Sequence, residues 1–394
     1  LVKVLFEPKS ALSDSVTYDI TAWALPYVYG LDAHAVREKI TTEVTDVKSY
    51  ASIALPSKQA YGYLIPYRSF SGSVLLADLL SKGIKVRFSE KDMKIKGQTY
   101  KKGTLIVLQN ENKGKIDALF ESVSKNQKES GVSMFAIESG FVDAGLDFGS
   151  DKVHVIKPVS VGLVTGTNTY AGAAGELWHL FEQQLNYPIT LINSDELSGA
   201  DLRKLDVLII PEGDYRFLRD KDSFLKNWVK QGGRLIAMEG AVSQMVDGDW
   251  GIKLKKGNDA ADKTETDYKD IKRYEDRERN SVTNGVPGAI YHVLLDDSHP
   301  LSMGYSNEYY TLKQNTNVLE FLKDGWNVGA IKQKELVSGF VGSNVSDKIK
   351  DGTVIAVQGM GEGSVVYFTD NPIFRSFWQN GKQLIANAVF LVGK

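Results

Sequence analysis

The sequence contains no cysteine. That excludes disulfide frameworks, Cys-ligated zinc, iron–sulfur clusters and every cysteine nucleophile. Histidine is scarce: five residues, His34, His154, His179, His292 and His299, are scattered over 394 positions with no HExxH or HxxE spacing, so no zinc site is expected in this chain. An excess of one charge is missing as well. Lys and Arg number 47 against 49 Asp and Glu, leaving −2, without the basic excess of a nucleic-acid binder. No apolar run approaches the roughly 20 residues of a membrane span. A Walker A sequence and a GxSxG elbow are both absent. The glycines of GMGEG at 359–363 join two β-like runs, so they read as a hairpin turn and not as a dinucleotide loop.

What is present belongs to a folded protein: 42% hydrophobic and 24% charged residues, with two or three domains expected at about 150 residues each. The chain opens on LVKVLFEP, without Met and inside a β-like pattern. An upstream signal or domain is therefore expected to precede it. The region 1–50 reads as a lead-in, and its aromatic stretch YDITAWALPYVYGL is expected to pack both on the next domain and on a missing upstream one. The region 51–155 reads as a small α/β domain. Strand-like runs at 60–66, 84–88, 103–108 and 132–137 alternate with helical periods at 71–82 and 115–127, with Ser71 as N-cap and Gly83 as stop, which predicts a βαβ arrangement.

The region 156–394 reads as a second α/β domain, and its residues 158–245 hold the clearest pattern. Apolar runs at 159–164, 189–192, 207–210 and 234–238 are interleaved with helical periods at 172–185 and 224–230. This predicts a doubly wound, mostly parallel sheet covered on both faces. Such sheets meet ligands at the carboxyl ends of their strands, here 165–170, 211–215 and 239–242. A segment at 253–283 interrupts the pattern with charges of both signs (KRYEDRER), which suits a solvated helix or loop. Beyond it come a β run at 288–295, a hairpin-like pair at 353–358 and 364–369, and a helix at 379–390.

At the fourth strand exit stands Ile236-Ala237-Met238-Glu239-Gly240. A carboxylate there binds a cation, acts as a base, or orders nearby backbone by hydrogen bonds. The region 158–245 resembles the class I glutamine amidotransferase-like (flavodoxin-like) fold in strand order, in the Gly-Gly pair before this strand and in the turn after it. The resemblance implies a nucleophilic cysteine at the turn. This chain has Glu239, so the resemblance implies the scaffold without the thioester chemistry. The segment DDSHPLSMGYSNEYY (296–310) and the stretch GSVVYFTDNPIF (363–374) are similar to the ThuA-like branch of the same superfamily. That likeness implies a ligand contact at His299, with Asp370, Asn371 and Arg375 lining the same crevice. The plainer readings are a loop-ordering His299, an Asx turn and a surface cation. Three separated segments, the opening 1–31, YEDRERNSVTNGVPGAIYHVLLDDSHPLSMGY and VVYFTDNPIFRSFWQNGKQLIANAVFL, resemble the region that follows the catalytic domain in bacterial zinc carboxypeptidase-like proteins. That resemblance implies a secreted or periplasmic parent, zinc held in an upstream peptidase domain and no cofactor in this chain.

Three functions follow. The first is a non-catalytic accessory region packed on the peptidase domain of the same polypeptide. The second is a sugar- or peptide-binding module of ThuA-like type whose crevice uses Thr165, Thr167, Glu212, Asp214, Glu239, His299, Asp370 and Arg375. The third is a hydrolase with carboxylate acid/base chemistry at Glu212 and Glu239. Neither nucleic acid nor a membrane is expected as a partner.

Overall fold

The structure is a computed structural model describing residues 22–34, 36–39, 41, 54–256, 273–277, 283–333 and 335–393. The expectations for the start of the opening, for 42–53 and for most of the charged insertion lie outside these residues. A short helix, α1 (Leu25–Tyr29), has Pro26 in its first turn, where a missing N–H costs nothing, and ends at Gly30 in the left-handed region (φ 64°). Ala22 and Val28 are buried with Ile290, Leu312 and Trp378, and the Tyr27 ring lies 4.9 Å from that of Tyr310. The aromatic opening thus packs against the large sheet, while Tyr29 and Leu31 stay exposed.

The first sheet is built from β1 (Gly62–Ile65), α2 (Phe70–Ser81), β2 (Val86–Ser89), the hairpin β3 (Met93–Ile95) and β4 (Gln98–Tyr100), β5 (Leu105–Leu108), α3 (Ile116–Ser130), β6 (Phe135–Ile137) and β7 (Val153–Ile156). Its order is β6-β1-β5-β2-β7, and every pair is antiparallel. The expected βαβ crossovers are therefore split. β5 lies between β1 and β2, and β1 lies between β5 and β6, the order of the ferredoxin-like unit. Helix α2 begins after Ser69, two residues earlier than the predicted Ser71 cap. Most of its residues are buried, as suits a helix with apolar residues on nearly every side.

The second sheet has ten strands. Along the chain come β8 (Val161–Thr165), α4 (Ala171–His179) prolonged by a π turn over Leu180–Leu185, β9 (Ile189–Asn193), β10 (Val207–Ile210), α5 (Arg216–Arg219), α6 (Phe224–Lys230), β11 (Arg234–Met238) and α7 (Gly240–Asp247). They are followed by β12 (Gly288–Leu295), β13 (Glu308–Lys313), β14 (Trp326–Ile331), β15 (Leu336–Phe340), β16 (Gly352–Met360), β17 (Gly363–Phe368) and α8 (Lys382–Phe390). The order is β13-β12-β14-β16-β17-β11-β10-β8-β9, with β15 also on β12. Parallel pairing runs only from β9 through β8, β10 and β11 to β17. Numbered along the chain, these five strands stand 2-1-3-4-5, the flavodoxin-like order. The other half is antiparallel. The expectation of a mostly parallel sheet is corrected accordingly: the mixed α/β class holds, but antiparallel pairs outnumber parallel ones. The cause is the run of short connections after β12, which favour antiparallel neighbours over helical crossovers.

Strand alternation sorts the core. Val207 and Ile209 face one way, with α8 and, beyond it, α2 of the first sheet. Leu208 and Ile210 face the other, with Leu225, Trp228, Val229 and Met245 of α6 and α7. The first core is continuous between the two sheets, and a polar link crosses it. The Tyr67 hydroxyl lies 2.7 Å from Asn387 Oδ1 and 2.6 Å from Ser73 Oγ.

Candidate functional site

The carboxyl ends of β8, β10, β11 and β17 open on one edge. β8 and β10 are the neighbours at which the strand order reverses, so the crevice rule places a ligand here. The loop after β10 carries Glu212, and the turn after β11 carries Glu239. Glu239 takes φ 51° and ψ −121°, a strained backbone for a residue with a side chain. Its N–H donates to Phe368 O at 2.8 Å. The next N–H, of Gly240, donates to the Glu212 carboxylate. A Cβ at position 240 would lie 2.5 Å from Glu212 Oε1, so any side chain there would have to displace the Glu212 carboxylate from the Gly240 N–H. Gln244 braces the turn from α7: its Nε2 donates to Gly213 O at 2.7 Å, and its Oε1 accepts from Tyr215 N at 2.6 Å.

Two further polar groups close on this edge. Glu176, buried in α4, accepts from the Asn371 side-chain amide. Burial pushes its carboxyl up to about 7, against the Asn371 amide, the backbone N–H groups of Arg375 and Ser376, and the Arg375 charge. Burial also pushes Glu239 up to about 8, assisted by the negative charges of Glu212, Glu176 and Asp370 and opposed by a hydrogen bond from Asn371. Glu212 is raised by burial, with the Gly240 N–H opposing. Glu239 therefore keeps its proton at neutral pH. In that state it donates and accepts hydrogen bonds.

The structure separates the residues that the sequence grouped. Glu212 and Glu239 come together. Thr165 Oγ1 donates to Ile192 O at 3.3 Å, and Thr167 is exposed on the following loop. Asp214 is exposed and paired with Arg219 at 2.6 Å. Asp370 does not line the crevice as a free carboxylate: it is buried against Lys313. Arg375, in a left-handed conformation (φ 49°), has its guanidinium 5.0 Å from the Phe374 ring and reaches the cluster through its backbone and charge. His299 is the correction. It lines a different cavity with Ser364, at the amino end of β17, because the loop after antiparallel β12 exits on the opposite edge. Glu176 was not anticipated. Its signal was an acid placed among Ala173, Ala174 and Leu177 on the buried side of α4. Among the described residues no three His, Asp or Glu side chains form a metal-holding group, and no helix is long and apolar enough to cross a membrane.

No family model and no curated protein matches the chain. Solved structures with some likeness include a glutamine amidotransferase from Thermotoga maritima, at 8% identity over 59% of this chain and 96% of the other, with a TM-score of 0.36. A ThuA-like protein from Parabacteroides merdae is 13% identical over 60% of this chain and 93% of the other, with a TM-score of 0.36. A beta-galactosidase from Bacillus circulans is 13% identical over 59% of this chain, with a TM-score of 0.33, and the chain spans only 30% of it.

Proposed function

We propose that this chain is a non-catalytic accessory region whose flavodoxin-like half binds a small polar molecule at the Glu239 edge. The observation that carries the reading is the Glu239 turn. The strained backbone stands where a nucleophile turn would, after β11, but the residue there is a glutamate whose carboxyl burial pushes up to about 8. A neutral carboxyl beside the amide of Asn371 suits a ligand rich in hydroxyl or amide groups. The parent is proposed to be a secreted or periplasmic zinc carboxypeptidase-like protein whose peptidase domain lies on the same polypeptide and holds the zinc. The order of the three resembling segments supports that assignment, as do the exposed Tyr29 and Leu31 beside α1.

Calorimetry of the whole chain against a panel of small sugars, amino acids and dipeptides tests the binding reading. Binding is expected to survive Glu239→Gln, which preserves a donor and an acceptor, and to be lost in Glu239→Ala. Hydrolysis of any panel member, abolished by Glu239→Gln or Glu212→Gln, would overturn the non-catalytic assignment in favour of carboxylate acid/base chemistry, which a pair of acids with raised pKa can support.

A further inference from the structure

A second cavity, of about 390 Å³, opens on the other edge of the large sheet, near the amino end of β17. Its volume falls within the roughly 300–1,000 Å³ typical of small-molecule sites. Glu90 from the first sheet meets Asp296, Ser298 and His299 from the loop after β12 and Trp326 from the start of β14. Trp326 is 62% exposed, an unusual position for the largest apolar side chain, and its ring lies 6.4 Å from that of His299 at 53°.

The polar groups around this ring have fixed roles. His299 Nδ1 accepts from the Leu301 N–H at 3.1 Å, so in the neutral ring the proton sits on Nε2. Burial pulls the imidazole down to about 4, against the nearby charges of Asp296 and Glu90, and keeps it neutral. Nε2 has no hydrogen-bond partner among the described residues, which leaves one N–H donor at the cavity. Asp296 Oδ1 accepts from the Ser298 N–H at 3.0 Å and its hydroxyl at 2.6 Å, and Glu90 Oε1 lies 2.7 Å from His154 Nε2. The second oxygen of each acid remains as an acceptor. No Lys or Arg lines the cavity among the described residues.

This set selects by exclusion. Two carboxylates beside a neutral imidazole repel anions. A quaternary ammonium would gain from the indole face and the acids but would leave the His299 N–H without an acceptor. A hydroxyl both donates and accepts, so several hydroxyls on one ring match the N–H donor and the carboxylate acceptors together. A flat apolar platform then suits the C–H face of that ring. We propose that this cavity binds the pyranose ring of a neutral sugar, stacked on Trp326 and hydrogen-bonded to His299 Nε2–H and to the carboxylates of Asp296 and Glu90.

Saturation-transfer NMR on the whole chain tests this, with methyl pyranosides of gluco, galacto, manno and xylo configuration, and with tetramethylammonium as a separate probe. Transfer to the ring C–H protons of at least one glycoside is expected. Its affinity should drop about tenfold in Trp326→Ala, an aromatic contact's worth, and fall likewise in His299→Ala, while the thermal melt of Trp326→Ala stays that of the parent. Three outcomes would each overturn the proposal: no transfer from any glycoside at tens of millimolar, transfer that survives Trp326→Ala undiminished, or displacement of the sugar by tetramethylammonium.

Discussion

The ammonium of Lys313 lies 2.7 Å from a carboxylate oxygen of Asp370, and the two side chains are 0% and 5% exposed. Thr311 Oγ1 donates to the other Asp370 oxygen at 2.9 Å, and Lys313 Nζ donates also to Asn317 O at 2.8 Å. The pair ties β13 to the loop after β17 and sets one of the charges felt by Glu239.

Removing one partner strands the other charge in the core. Lys313→Met is expected to cost about 3–5 kcal/mol. The double change Lys313→Met with Asp370→Leu should recover much of that loss, because an apolar pair of similar volume needs no desolvation. Urea unfolding of the two single variants and the double variant checks this; a double variant no better than the worse single one would refute it.

The raised carboxyls make stability depend on pH with a defined sign. From its ordinary 4.5 to about 8, Glu239 is protonated in the folded chain and ionised in the unfolded one. The folded state then binds more protons, so stability falls as pH rises through that window. Glu176 adds to the same slope up to about 7. Glu239→Gln should therefore flatten the decline and be more stable than the parent above pH 8. Unfolding curves of both chains across the window measure it, and parallel slopes would contradict it.

Gly240 is held against Glu212. Gly240→Ala should destabilise by about 1–3 kcal/mol through overpacking against a carboxylate that cannot move without losing the Gly240 N–H. Combining it with Glu212→Ala should relieve part of the strain. Denaturant midpoints of the single and double variants decide.

Tyr67→Phe tests the link between the two sheets. It leaves Asn387 Oδ1, on a residue 0% exposed, without its hydroxyl donor, at an expected cost of about 1–3 kcal/mol. A loss below a few tenths would show that the hydroxyl adds little to the apolar contact around it.

Much of the parallel half was legible. The runs at 207–210 and 234–238 coincide with β10 and β11, because continuous apolar stretches between helical periods have one stable arrangement in an α/β sheet. The hairpin through 359–363 was legible from its glycines, and Met360 does pair with Gly363. The split order of the first sheet was not, since four-residue strands carry no mark of their neighbours. Nor was the partnership of Glu176 with Asn371, which lie 195 residues apart.

By itself, the sequence determined the chemistry that is absent and the local elements. It has no cysteine and no clustered imidazole, it carries an acid after the fourth strand, and its periodicities are those of helix and strand. Those are properties of residue type and short-range spacing. Which acids share a crevice, which carboxyl keeps its proton, and that His299 stands at the opposite edge from Glu239 were decided only by the tertiary structure. Burial and the proximity of distant charges set those states, and both arise from contacts between residues far apart in the chain.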